Sequence, residues 1–420
     1  MISNPNPRSL FTILVVVCLI SACGQPAPTE ATTAAPTNTL QPSPVSPTES
    51  ATSAPTPTDQ PIPLPSGRLL LAVNQASGGK YPDTDVDFFD QYRWVELPSM
   101  EVSPHPLLTG DYPIQNSFVT LSPDLAHLAF VREEWSRIQI AGNTHDAVTS
   151  RSVFLADPNS NQAIPIGQPI TEGGVNRVMG CGDEPSWSAN SQFFAFARSP
   201  DWGSTEKEHR LYIYDVASNQ LKTVTIRSQQ GLGAFALSPD GTQIAVTELE
   251  SAPEFGFNIH LMNADGSDDR ILVKGWVSSN LVWSPDGTRI FFKSDRVDDR
   301  NEPGIYSVDV ATGATTLLAE VSEHAWCLKL SPDGSLLTYD DLGLMGVDPN
   351  GGEARKLLTG ECDPHGYSAL VWSSDSQRFA FVAGVLPNTQ IFIMDRAGDC
   401  LTLDYHEDAM IPFYLIGWFP

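Results

Sequence analysis

The chain predicts an all-β fold assembled from repeated four-stranded units. Three observations carry this expectation. One turn sequence recurs, strand-like apolar runs flank every copy, and the two ends of the globular part read as halves of one more copy. The turn is clearest in LVWSPDGTRIFF at 281–292. It recurs as FALSPDGTQIAV at 235–246, LKLSPDGSLLTY at 328–339 and LVWSSDSQRFAF at 370–381.

Ser-Pro-Asp-Gly suits a type I turn. Serine starts it, proline brings a pre-set φ, and glycine at the fourth position accepts a positive φ. The flanks, rich in Val, Ile, Phe and Trp, read as strands, so each copy is a hairpin. About twenty residues later comes an apolar run ending in Asp, then a turn, then another apolar run. Examples begin at Leu211–Asp215, Ile305–Asp309 and Ile391–Asp395. Four strands in a unit of this length mark a β-propeller blade.

Turn serines or their equivalents at Ser122, Ser188, Ser238, Ser284, Ser331 and Ser373 define six units. The terminal Gly417-Trp418-Phe419-Pro420 matches the first half of the motif, and Pro65-Ser66-Gly67 opens the second half. A ring explains the split: the last strand completes the first sheet, leaving no open junction. The expectation is a seven-bladed β-propeller spanning 66–420; six blades, with the ends outside any blade, is the alternative. Three turns depart from the pattern, with Leu125, Ser191 and Ser376 in place of glycine. These turns are expected to close differently.

The repeated Trp-Ser-Pro-Asp-Gly-x-x-Ile pattern, followed by Ile-Tyr-x-x-Asp, resembles the TolB-like propeller repeats. The resemblance implies the ring and leaves the activity open, because one fold hosts many functions.

Ahead of the ring, Arg8 and the apolar run Leu10–Ile20 form a secretory-type leader, too short to span a bilayer comfortably. Ile20-Ser21-Ala22-Cys23 resembles a bacterial lipobox, which implies cleavage after residue 22 and acylation of Cys23. Residues 23–65, almost wholly Pro, Thr, Ser, Ala and Gln, read as a disordered tether; at about 3.1 Å per residue it reaches on the order of 100 Å. The expected place is lipid-anchored and extracytoplasmic, on the cell membrane or outer membrane. A formal charge of −26 without a Lys/Arg cluster argues against a nucleic-acid partner.

In a propeller the loops leading into the innermost strands gather around the channel mouth. Three successive ones carry histidine beside acid: Glu323-His324, Asp363 with His365, and His406-Glu407. These six residues are the candidate ligand site, with no catalytic residue and no cofactor assigned. A divalent metal there is the alternative reading, since imidazole with carboxylate suits Zn, Mn or Fe. Solvated polar turns in an acidic chain are the plain one. The acidic runs Asp83-x-Asp85-x-Asp87 and Asp295 with Asp298 and Asp299 read as solvated turns. Gly366-Tyr-Ser368 lacks the second glycine of a nucleophile elbow. Cys181, Cys327, Cys362 and Cys400 favour disulfides in an exported chain, with three pairings open. Cys400, at the opposite end of a blade, is the candidate for an unpaired thiol. A metal cluster of Cys327, Cys362 and His365 is a further alternative.

The expected function is binding of a protein, peptide or glycan through the loop-rich face. The alternative is a metal-dependent lyase or hydrolase acting on an extracellular polymer.

Overall fold

A computed structural model describes residues 65–73, 91–109, 114–140, 143–170, 174–175, 186–199, 208–227, 232–250, 256–277, 280–297, 302–358, 370–383, 390–403, 405 and 413–420. They build seven antiparallel sheets arranged as a propeller. Blade 1 takes β1 (Gly67–Val73), β2 (Gln91–Leu97) and β3 (Val102–Thr109). Blade 2 is β4 (Ile114–Leu121), β5 (Leu128–Ile140), β6 (Asn143–Ala156) and β7 (Ala163–Ile170). Blade 3 has a split inner strand, β8 (Gly174–Val175) and β9 (Ser186–Trp187), then β10 (Phe193–Ser199), β11 (Glu208–Asp215) and β12 (Gln220–Arg227).

Blade 4 runs β13 (Leu232–Leu237), β14 (Gln243–Glu250), β15 (Gly256–Asn263) and β16 (Arg270–Val273). Blade 5 again splits its inner strand into β17 (Gly275–Val277) and β18 (Val282–Trp283), followed by β19 (Arg289–Val297), β20 (Gly304–Asp309) and β21 (Thr315–Glu320). Blade 6 is β22 (Trp326–Leu330), β23 (Leu337–Asp340), β24 (Leu344–Val347) and β25 (Arg355–Lys356). Blade 7 is β26 (Val371–Trp372), β27 (Arg378–Ala383), β28 (Gln390–Asp395) and β29 (Cys400–Leu403).

The last strand, β30 (Phe413–Phe419), belongs to blade 1, whose order is β3-β2-β1-β30. Its register pairs Arg68 with Phe419 and Leu69 with Trp418. The C-terminal strand thus closes the ring as the split motif predicts. Trp418 is buried like Trp283, whereas Trp372 is only half-buried.

Strand residues alternate between the two neighbours of a blade, as a period of two requires. In β1, Leu69, Leu71 and Val73 pack with Ala380, Val382 and Ile391 of blade 7. Leu70 and Ala72 of the same strand pack with Leu128 and Phe130 of blade 2. The remaining apolar clusters repeat this pattern between successive blades around the ring. Both faces of each sheet are therefore covered, which is why the second strands read as nearly continuous apolar runs.

The recurring turns close alike, including the three expected to differ. In each, the serine hydroxyl donates to the Asp or Asn side chain two residues on, at 2.6–2.7 Å. The fourth residue donates its N–H to the serine carbonyl. Gly241, Gly287 and Gly334 have φ 71°; Leu125, Ser191 and Ser376 adopt 61°, 59° and 60°. The backbone form is the same because the serine–Asx network imposes it. A non-glycine residue then bears the steric cost of a left-handed conformation, about 1–2 kcal/mol.

Candidate functional site

Antiparallel topology sorts the connections. The Ser-Pro-Asp turns and the turns between third and fourth strands lie on one face, here the turn face. The remaining connections leave strand ends at the other, the loop face. Blade 6 shows the loop face best, because its lead-in turn 321–325 and its turn 341–343 both belong to the described residues.

Two anchors hold the lead-in turn. The first is Lys293 on β19, whose side chain is 1% exposed. Its Nζ donates to Asp295 Oδ1 at 2.5 Å and to the Glu323 carbonyl at 3.1 Å. A buried ammonium needs such partners to offset its lost hydration. The second anchor is Asp341, just after β23. Its carboxylate accepts from Ser322 N–H at 3.1 Å and from Ser322 Oγ at 2.5 Å. Ser322 Oγ in turn accepts from His324 N–H at 3.1 Å. Between these anchors Glu323 and His324 project into solvent, with side chains 80% and 70% exposed. His324 Nε2 lies 3.8 Å from Glu323 Oε1.

Nearby, the Asn280 side chain ties the lead-in of blade 5 to β22. It donates from Nδ2 to the Leu328 carbonyl at 2.7 Å and accepts from Leu328 N–H at 3.2 Å. This pairing flanks the bulge at Cys327, whose φ is 61°.

Of the six candidate site residues, Glu323 and His324 occupy one exposed turn. His365, His406, Asp363 and Glu407 lie outside the described residues, as do Cys23, Cys181, Cys362, Ser368, Asp298, Asp299 and the Asp83–Asp87 run. Asp295 is more than a solvated turn acid, since it neutralises Lys293. Two other expectations need correcting. Cys327 and Cys400 are both disulfide-bonded, so Cys400 carries no unpaired thiol. A disulfide sulfur is not a thiolate, so Cys327 cannot join Cys362 and His365 as a metal ligand. Among the described residues no group of three His, Cys, Asp or Glu side chains is placed to hold a metal ion.

Lys293, Ser322 and Asp341 escaped the reading of the sequence. The available signal was the lysine inside the apolar run Ile-Phe-Phe-Lys at 290–293, where a charge in a buried strand demands a partner.

The insertion in blade 2 also has a definite form. β5 and β6 stay paired from Leu128↔Ala156 to Ile140↔Asn143. The flanking strands, inner β4 and outer β7, stop earlier, at Ile114↔Glu134 and Arg151↔Ile170. The ladder thus outruns the blade toward the loop face. At its base Arg151 Nε donates to the buried Glu133 at 2.8 Å.

Residues 183–366 match the family described as TolB beta propeller domain. The ring is a TolB-like β-propeller. The TolB-like ring is similar to several solved structures at low identity. An oligogalacturonate lyase in complex with manganese aligns at TM-score 0.50 and 15% identity, over 79% of this chain and 83% of that one. A prolyl endopeptidase aligns at TM-score 0.52 and 16% identity over 77% of this chain, but only 46% of its own length is covered. The β-propeller domain of the Trilobed protease from Pyrococcus furiosus aligns at 0.50 and 12%, covering 76% and 90%. That domain is described as having an open velcro topology, whereas the TolB-like propeller here pairs β30 with β1. At these identities the likeness carries the fold alone. No match is found among curated proteins. Among the described residues of the TolB-like propeller no helix is long and apolar enough to cross a membrane.

Proposed function

We propose that the protein is an exported, lipid-anchored propeller that binds a protein, peptide or glycan partner through its loop face. The difference between the two faces carries this reading. The turn face repeats one hydrogen-bonded turn from blade 2 to blade 7, and Ser191 and Ser376 tie their turns to the preceding blade. The loop face carries the extended β5–β6 ladder and the exposed lead-in turn of blade 6 with Glu323 and His324. A rigid ring with one variable face suits recognition. Disulfides at Cys327 and Cys400 support an oxidising compartment. The lipobox-like Ile20–Cys23 supports acylation of Cys23, and residues 23–65 supply the tether.

In this reading Glu323 and His324, with Asp363, His365, His406 and Glu407, contact the ligand at the channel mouth. The second reading, a metal-dependent lyase or hydrolase, is favoured by the fold likeness to the manganese-containing oligogalacturonate lyase. One experiment separates them. The purified protein is incubated with oligogalacturonate with and without Mn²⁺, and unsaturated product is followed by absorbance. The binding role expects no turnover under either condition. Turnover that a chelator abolishes and His324→Ala reduces would replace it with the lyase.

A further inference from the structure

We propose that Leu342 is the apolar anchor of a protein-docking knuckle on blade 6, and that its partner is a peptide segment pairing an apolar side chain with Lys or Arg. This rests on the binding role above and names the partner class and the contact point.

Among the described residues Leu342 is 81% exposed, while the other exposed large apolar side chains reach 41–52%. Scattered surface leucines are ordinary, but this one also carries a left-handed backbone, φ 56°. That conformation favours glycine or asparagine and strains a leucine. A leucine that is both strained and exposed gains nothing from the fold at this position, which points to selection for a contact.

The backbone around it is held firmly. Asp341 N–H donates to the Gly343 carbonyl at 3.0 Å, and Gly343 N–H to Asp340 Oδ1 at 3.3 Å. The Asp341 carboxylate binds Ser322 through two hydrogen bonds, so turns 341–343 and 321–325 form one cross-linked unit. Lys293 secures the far side through the Glu323 carbonyl. The unit presents Leu342, Glu323 and His324 outward from a braced base. Preorganisation of this kind lowers the entropy lost on binding.

Charge selects the partner. Asp340 and Asp341 precede the leucine in its turn, and Glu323 follows Ser322 in the turn that Asp341 binds; Lys293 pairs with Asp295, and Lys356 packs against Gly343. The whole chain carries −26. A cationic segment is attracted to this rim and an anionic membrane is repelled. Sugars stack on aromatic rings rather than on a lone branched aliphatic side chain, which favours a peptide.

The test uses a phage-displayed random peptide library panned on the purified protein, then affinities of selected peptides for variants. Enriched peptides should combine a large apolar residue with Lys or Arg. Leu342→Asn keeps the left-handed turn while removing the apolar surface. It should weaken these peptides at least tenfold with an unchanged melting temperature, and Glu323→Gln should weaken them less. Peptides that bind Leu342→Asn as well as the parent overturn the anchor while leaving the binding role intact. A library that yields no binder to the loop face overturns the peptide partner and leaves the binding role to a glycan.

Discussion

The hydroxyl of Ser376 accepts a hydrogen bond from the backbone N–H of Asp333, 3.0 Å away in the preceding blade. Ser191 does the same for Asp124 at 3.0 Å. Where a turn has lost its glycine to serine, the new side chain ties it to its neighbour. The remaining glycine turns pack instead, Gly287 and Gly334 against Pro239 and Pro285. Ser376→Ala should therefore lose about 1 kcal/mol, because it strands a donor while keeping the left-handed strain. Ser376→Gly should lose less, since relief of that strain offsets the lost bond. Denaturant midpoints ranking alanine above glycine would refute the assignment.

Gly241 and Gly287 share φ 71° but not surroundings. A Cβ on Gly241 would lie 2.0 Å from the Phe193 ring, whereas one on Gly287 would meet Pro239 at an ordinary 3.6 Å. Gly287→Ala should cost about 1–2 kcal/mol for the backbone alone. Gly241→Ala should cost distinctly more, by a further 1–3 kcal/mol for the overpacked ring. Thermal unfolding of the two variants side by side checks the order.

Ring closure predicts the effect of removing residues 415–420. The deletion takes away a buried Trp418 and leaves β1 without its inner partner. Losing such a tryptophan costs about 3–5 kcal/mol before the edge is counted. A truncated chain that melts with the parent would rule the closure out.

His105 gives the protein an acid-sensitive seam between blades 1 and 2. Its Nδ1 accepts from the N–H groups of Leu107 and Leu108 at 3.1 and 3.2 Å, so Nε2–H donates to the Pro158 carbonyl at 2.9 Å. Burial, the main cause, pushes its pKa down to about 4, and Arg68 adds to the effect against the Pro158 bond. Between pH 6.5 and 4 the unfolded chain holds the extra proton, so stability falls as pH falls through that window. The slope from this residue approaches 1.4 kcal/mol per pH unit, about one proton. His105→Gln should flatten the pH dependence of the denaturant midpoint between pH 4 and 6.5. An unchanged slope would show that other groups govern it.

The anchor proposal is tested at Cys23. Cys23→Ser should move the protein from the membrane fraction to the soluble extracytoplasmic fraction. A processed Ser variant that remains in the membrane fraction refutes acylation as the anchor.

The blade count and the closing strand were legible in the sequence because each depends on a local signal repeated many times. A Ser-Pro-Asp-Gly turn forms from its own side chains, and apolar alternation needs no distant partner to be recognised. Leu125, Ser191 and Ser376 show the limit of that reading. Their identities suggest a different turn, but the Ser–Asx network supplies the form and contacts from a neighbouring blade support it. The same limit applies to the candidate site. His324 could be placed on a lead-in loop from its position after β21. Its braces, Lys293 and Asp341, come from the preceding blade and from the next hairpin, at separations that no local pattern encodes. Sequence by itself determined the repeat and the ring, because these follow from short-range propensity and periodicity. Only the tertiary structure decided which turns are cross-linked, which cysteines are oxidised and which leucine is left strained in solvent, because each depends on residues that the ring brings together.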